Sequence, residues 1–445
     1  MEESKPYSGI EEQLSGLWSL MDGLEIEKYV VAVYIAEARA KMDAHAMIEF
    51  MAYEQSTGTW VRVPAETDAV RKKHIAKILG VYEIPHYELE IPKDVESRKY
   101  CVLVAYPLIN MVNSENKLNF PLFWTNIWGN ISMAPNLKLV DFWLPKDALK
   151  DFPGPKFGID GIRDYLNCYG RPMLNNMLKP KTGHTPDVAA DMIYKAALGG
   201  TDIVKDDELI ADAPFNTIED RITKGMEAVD RANEEKGEKT LYMINVTDNL
   251  DKVFKNIDIV QEHGGNGMLI NYFVVGFPIV QKIAEDPSIK LVMMGHMDFG
   301  GNYYSASFQG MAGHLALAKV PRLIGCDTIV TPAPYGKAFT VSERFQAQLM
   351  NQRLPLGHIK PSLPMPSGGI TPGMVEACLK DCGIDCLIGS GGGIHAHPDG
   401  ATAGAKAFRQ AIDAAVKGIP QKDYAKDHKE LAVALGLWGS KRTGI

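Results

Sequence analysis

From residue 155 onward the chain repeats one pattern: a short apolar run, a loop, then an amphipathic helical stretch. Eight runs read as buried strands, at 177–179, 201–204, 240–246, 267–273, 290–294, 327–331, 362–365 and 385–388. Helical periodicity fills the intervals, for example over 187–197, 218–234 and 250–263. Apolar strands alternating with helices demand a parallel sheet covered by those helices. Eight such units in about 250 residues have the size and period of a TIM (β/α)8 barrel. The competing doubly wound sheet would want a Gly-x-Gly-x-x-Gly turn after its first strand, and none is there.

Such barrels gather their chemistry at the carboxyl ends of the strands. Here those ends carry Lys179 and Lys181, then Lys205, Asp207 and Glu208, then Asn245, Asn271, His296 and Lys337. The last two strands run into Ser367-Gly368-Gly369 and Gly389-Ser390-Gly391-Gly392-Gly393, where backbone N–H groups can cradle a phosphate. Taken singly, His296 also reads as a core histidine and Lys337 as a surface lysine. Their joint placement is hard to credit to packing. The densest cluster follows the second strand, where Lys205 precedes Asp206, Asp207 and Glu208. By itself this is equally a solvated acidic loop. At a strand end, however, hard carboxylate oxygens suit Mg²⁺, which binds through a few carboxylates plus substrate.

Residues 1–150 read as a separate α+β domain, with strands at 29–35, 60–63 and 99–105, a helix at 44–51 and a further stretch at 120–131. Three prolines within 145–155 mark the boundary to the barrel and its helical tail, residues 151–445. Taken alone, the turn over 54–60 and the amide of Asn130 read more readily as turn chemistry than as a site. A net charge of −8 gives no basic stripe for nucleic acid. No apolar run approaches the ~18 residues of a membrane span. The polar opening Met1-Glu2-Glu3-Ser4-Lys5 is no secretory signal, so a cytoplasmic protein with reduced thiols is expected. The six cysteines contain no C-x-x-C pair. Cys378, Cys382 and Cys386 fall on one helix face, suiting apolar packing better than zinc.

Lys179-Pro180-Lys181, the Gly-Gly-x-Asp-x-x-Lys-Asp-Asp-Glu run over 199–208, Ser56-Thr57-Gly58-Thr59-Trp60, Ser367-Gly368-Gly369 and the triglycine after the eighth strand resemble the ribulose-bisphosphate carboxylase (RuBisCO) superfamily. So does Asp423-Tyr424-Ala425-x-x-His428-Lys429-Glu430-Leu431. The resemblance spans nearly the whole chain. It implies a ferredoxin-like N-terminal domain, a barrel, and a homodimer in which Glu54, Thr59, Trp60 and Asn130 of one subunit complete the other's active site. It further implies Mg²⁺ held by Asp207, Glu208 and a carbamate formed from CO₂ on Lys205. Lys179 and Lys181 would move protons, with Glu54, Asn130 and His296 touching metal-bound or substrate oxygens. Lys337 would be the lysine of the mobile loop.

The departures matter as much. One phosphate site is retained, in Thr59, Trp60, Gly369, Gly391 and Gly392, with Gly368 beside them. The second, in the family, uses an arginine after the strand-five histidine and a histidine seven residues before the loop lysine. Here those positions hold Met297 and Val330, and only Ser367 remains. Charge-assisted hydrogen bonds are worth roughly 1.5–3 kcal/mol each, so a bisphosphate should bind poorly. The resemblance therefore narrows to RuBisCO-like proteins of the form IV kind. Expected is Mg²⁺-dependent enolisation, isomerisation or decarboxylation of a monophosphorylated keto sugar or sugar acid; the retained Lys179 and Lys337 suit decarboxylation best. A genuine carboxylase and a non-catalytic member remain the alternatives.

Overall fold

The computed structural model describes residues 16–439, apart from 59, 60, 62 and 339. The chain divides into two compact units, Met1–Asp151 with Gly301–Leu315, and Phe152–Gly300 with Ala316–Ile445.

In the first unit the strands β1 (Tyr29–Arg39), β2 (Lys77–Ile84), β3 (Ser97–Pro107) and β4 (Leu137–Trp143) form a sheet in the order β4-β1-β3-β2. Helices Ala44–Glu54 and Phe120–Trp128 connect them, which gives the βαββαβ order of a ferredoxin-like domain. The two-residue strand β10 (Gly310–Met311) adds in parallel to β4, making the sheet mixed. Val30, Ala32 and Tyr34 of β1 are fully buried, as the apolar reading of this run requires. Of the strand expected over 60–63, Trp60 and Arg62 fall outside the described residues, and the described Val61 and Val63 lie in no strand. β2 takes the sheet position instead, and its Lys, Gly and Glu had concealed it.

The second unit is the parallel barrel. Its strands are β5 (Met173–Met177), β6 (Ile203–Lys205), β7 (Leu241–Asn245), β8 (Gly267–Asn271), β9 (Val292–His296), β11 (Thr328–Pro332), β12 (Leu363–Ser367) and β13 (Leu387–Ser390). Hydrogen bonding runs in chain order from β5 to β12, and β13 closes onto β5. The seam lies between β12 and β13, and proline explains it. Leu363 donates to Asp327 and Ser367 accepts from Ala333, so the odd-numbered residues of β12 serve β11. The even positions facing β13 are Pro364 and Pro366, which have no N–H to give. The strands still pack, since a Cβ on Gly389 would stand 3.2 Å from the Pro366 carbonyl.

Inward side chains, among them Met173, Ile203, Met243, Leu269, Met294, Val330, Met365 and Leu387, fill the barrel as one buried cluster. Outward ones such as Leu174 and Ile388 meet the surrounding helices, in a layer that includes Phe345, Phe408, Cys378, Cys382 and Cys386. Helix boundaries follow local chemistry. The Thr217 hydroxyl caps Ile218–Lys236 by accepting from the Asp220 N–H, and Gly237, at φ 73°, ends it in the left-handed region.

The first barrel strand lies at 173–177 rather than the expected 177–179. Asn175 and Asn176 are fully buried within it, so its sequence does not read as apolar. Lys179 and Lys181 consequently lie on the loop beyond the strand. Among the described residues, no helix is long and apolar enough to cross a membrane.

Candidate active site

A cavity of about 510 Å³ opens at the carboxyl ends of the barrel strands. Lys179, Lys181, Asp207, Glu208, His296, Lys337, Ser367, Gly368, Gly369, Gly391 and Gly392 all line it. Eleven polar or glycine positions read from the sequence thus meet around one space.

Alternation along β6 divides the acidic run after it. Asp206 points away from the cavity. Its carboxylate accepts from Arg221 Nε at 2.9 Å, the Tyr242 hydroxyl at 2.7 Å and the Asn245 N–H at 3.0 Å, all fully buried. Asn245 in turn donates its side-chain amide to the Ile210 carbonyl at 2.8 Å, which pins the loop carrying Asp207 and Glu208. That loop turns both carboxylates toward the mouth. Lys179 donates to Asp207 Oδ2 at 2.5 Å, and the buried Lys205 donates to Glu208 Oε2 at 3.2 Å. Lys181 stands 3.5 Å from Glu208 and 3.9 Å from Asp207. His296 Nε2 lies 3.3 Å from Glu208 Oε2, while its Nδ1 faces Asp298 Oδ2 at 3.0 Å.

The electrostatics follow from this crowding. Burial pushes the Glu208 carboxyl up, but the charges of Lys205 and His296 outweigh it and hold the group well below the usual carboxylate range. Burial lowers the Lys179 ammonium, and nearby Lys205 adds to that against the opposing pull of Asp207. His395, just beyond the cavity, is pushed down to about 4 by burial and by Lys179; its Nε2 lies 3.1 Å from Asn176 Oδ1.

Two donor sets here can hold a cation. Lys181 spans Asp207 and Glu208, and Lys205 contacts the latter, so ammonium groups surround the two carboxylates. With a carbamate on Lys205 the set becomes all oxygen, the chemistry Mg²⁺ prefers. The ligand atoms of Glu208, His296 and Asp298 also lie within 4.8 Å of one another, but an imidazole nitrogen suits a transition metal better. The first set therefore fits Mg²⁺.

The glycine loops need their glycines. Gly368 and Gly369 adopt φ of 111° and 90°. A Cβ on Gly391 would stand 2.9 Å from Lys179 Cε, so Lys179 reaches the cavity only past a glycine. The loop after β11 is latched to the loop after β12, with the Lys337 N–H donating to the Gly368 carbonyl at 2.7 Å. A Cβ on Gly336 would collide with that carbonyl at 2.3 Å. Met297 and Val330 do line the cavity, together with Met177.

Glu54 and Asn130 belong to the other unit, where Asn130 donates to Glu54 Oε1 at 3.1 Å. Both border a cleft of about 350 Å³ shared with Phe50 and Met133. Thr59 and Trp60 lie outside the described residues. Sequence reading missed five lining residues, of which Ile370 and Ala396 are apolar. Asp298 follows His296 by two positions, its one available signal. Thr371, whose buried hydroxyl lacks a hydrogen-bond partner, and Trp438 carried none.

Comparison with known proteins places these features in context. Residues 158–438 match the family model for the ribulose bisphosphate carboxylase large chain, catalytic domain, and residues 24–148 match its N-terminal domain. A ribulose bisphosphate carboxylase-like protein of Archaeoglobus fulgidus is 48% identical over 94% of this chain and 95% of its own. The 2,3-diketo-5-methylthiopentyl-1-phosphate enolase of Geobacillus thermodenitrificans is 34% identical over 92% and 98%. Among solved structures, a rubisco-like protein (MtnW) from Alicyclobacillus acidocaldarius superposes with a TM-score of 0.84 at 31% identity, covering 93% of this chain and 100% of that one.

Proposed function

This chain belongs to the ribulose bisphosphate carboxylase large-chain family, and from that premise we propose that it enolises a monophosphorylated keto sugar or a close derivative rather than fixing CO₂. The observation carrying this reading is the asymmetry of one cavity. Glycine loops and the lysine–carboxylate cluster stand on one part of its wall, while Met297 and Val330 occupy the positions where a second phosphate would need cations. The enolase among the relatives supports proton transfer over decarboxylation.

Backbone N–H groups of Gly369, Gly391 and Gly392 hold the single phosphate. Lys179, fixed by Asp207, takes the proton from the carbon beside the carbonyl, and Asp207 then steadies the ammonium that results. Lys181 and His296 orient the substrate oxygens, and Lys337 closes the cradle side. Met177, Met297 and Val330 receive the far end and exclude water from it. Mg²⁺ on Asp207, Glu208 and a Lys205 carbamate would supply positive charge beside the oxygen that becomes negative. The reading includes a homodimer in which Glu54 of the partner subunit and Asn130 of the partner subunit complete each mouth. In its support, those residues flank an apolar cleft whose Phe50 and Met133 are 50% and 74% exposed.

The test is solvent exchange. With Mg²⁺ and bicarbonate in D₂O, proton NMR should show loss of the C1 hydrogen signal of 2,3-diketo-5-methylthiopentyl 1-phosphate, and no comparable exchange with ribulose 1,5-bisphosphate. Incorporation of labelled CO₂ into ribulose 1,5-bisphosphate at a comparable rate would overturn the proposal.

A further inference from the structure

Asp298 lies on the loop after β9, beside Met297, and lines the cavity with its side chain 40% exposed. Among the described residues its ion-pair partner is His296 alone, at 3.0 Å. That contact sets a carboxylate beside Nδ1, while Nε2 faces Glu208 at 3.3 Å. Three other cations of the mouth are engaged elsewhere. Lys179, Lys181 and Lys205 stand on Asp207 and Glu208. Lys337 is held on the glycine side, its N–H bonded to Gly368 and its Cγ packed 3.3 Å from where a Gly369 Cβ would be.

Strand order separates the two ends of the site. The glycine loops follow β12 and β13, whereas Met297 and Asp298 follow β9 and Val330 belongs to β11. At that second end, therefore, Met297 and Val330 offer no cation and Asp298 supplies a carboxylate. We propose that Asp298 is a specificity-determining residue: it holds negative charge at the β9 end of the mouth, so the site accepts a sugar phosphate with an uncharged far end and rejects one phosphorylated at both ends. This deepens the proposed function and rests on its placement of the phosphate. Loss of attraction lowers bisphosphate affinity passively, whereas a fixed carboxylate repels a dianion in a partly dewetted space. A hydroxyl on the far end would instead find an acceptor.

Calorimetric titration of the full chain with Mg²⁺, using D-ribulose 1-phosphate and D-ribulose 1,5-bisphosphate as probes, tests this. The unaltered protein should bind the monophosphate more tightly. Asp298→Asn keeps the shape and removes the charge, and should tighten bisphosphate binding by about tenfold or more while the monophosphate changes by less than about threefold. Asp298→Ala removes the same charge together with the side chain, and should show the same gain for the bisphosphate. An Asp298→Asn protein whose two affinities are unchanged, or move together, overturns the inference and leaves the proposed function standing. Failure of the unaltered protein to bind either probe would instead overturn the reading of the phosphate cradle and this inference with it.

Discussion

Asp206 offers the sharpest contrast with its neighbours, because three adjacent acids were given different work by one strand. Its carboxylate accepts three hydrogen bonds in a fully buried site, one of them from the Arg221 guanidinium. Asp206→Asn removes the charge that balances a buried arginine. Breaking a buried pair from one side costs roughly 3–5 kcal/mol, because the remaining ion stays desolvated. The barrel unit has about 280 residues. At ~2.1 cal/mol/K per residue, its unfolding entropy is about 0.6 kcal/mol/K, so the melting temperature should fall by about 5–8 °C. Asp207→Asn should cost less. Asp207 is also buried, at 1% exposure, but its partners Lys179 and Lys181 are 29% and 44% exposed and stay hydrated when its charge is lost, so the melting temperature should fall by less than in Asp206→Asn. Mg²⁺-dependent proton exchange should nonetheless disappear. Differential scanning calorimetry on both proteins, with the exchange assay, makes the comparison. If Asp206→Asn melts with the unaltered protein, or Asp207→Asn melts as low as Asp206→Asn, Asp206 is not the structural member of the acidic run.

Three further outcomes are expected. Gly391→Ala places a methyl 2.9 Å from Lys179 Cε and 3.2 Å from the Met177 carbonyl, so kcat should fall about tenfold or more, with the circular dichroism spectrum unchanged. Chelation should abolish exchange, and ¹³C NMR in labelled bicarbonate should show a carbamate signal that Lys205→Met lacks; a signal surviving the substitution would remove Lys205 from the metal set. His395 is pushed down to about 4 in the folded state, below the ~6.5 of an exposed imidazole. The unfolded chain therefore binds the extra proton first, and stability should fall as pH drops from ~6.5 to ~4, by up to about 3 kcal/mol. His395→Gln should flatten that part of a urea-denaturation profile, and an unchanged slope would show that His395 does not set it.

Much of this protein was legible without coordinates, because apolar runs and helical periodicity are local properties. The eight barrel units, the polar strand ends and the glycine loops follow from which residues must be buried and which cannot be. The misreadings came where burial and polarity part company. Asn175 and Asn176 hide β5 because they are polar yet wholly inside. Along the chain, Asp206, Asp207 and Glu208 are equivalent carboxylates; only the pleat, with Arg221 and Tyr242 waiting on one side, makes the first structural and leaves the others at the mouth. Asp298 became visible only when the β9 loop brought it against His296. Composition and period settle what must be covered. Which face each polar group turns to, and what it meets there, depends on contacts between residues distant in the chain, and those only the closed barrel supplies.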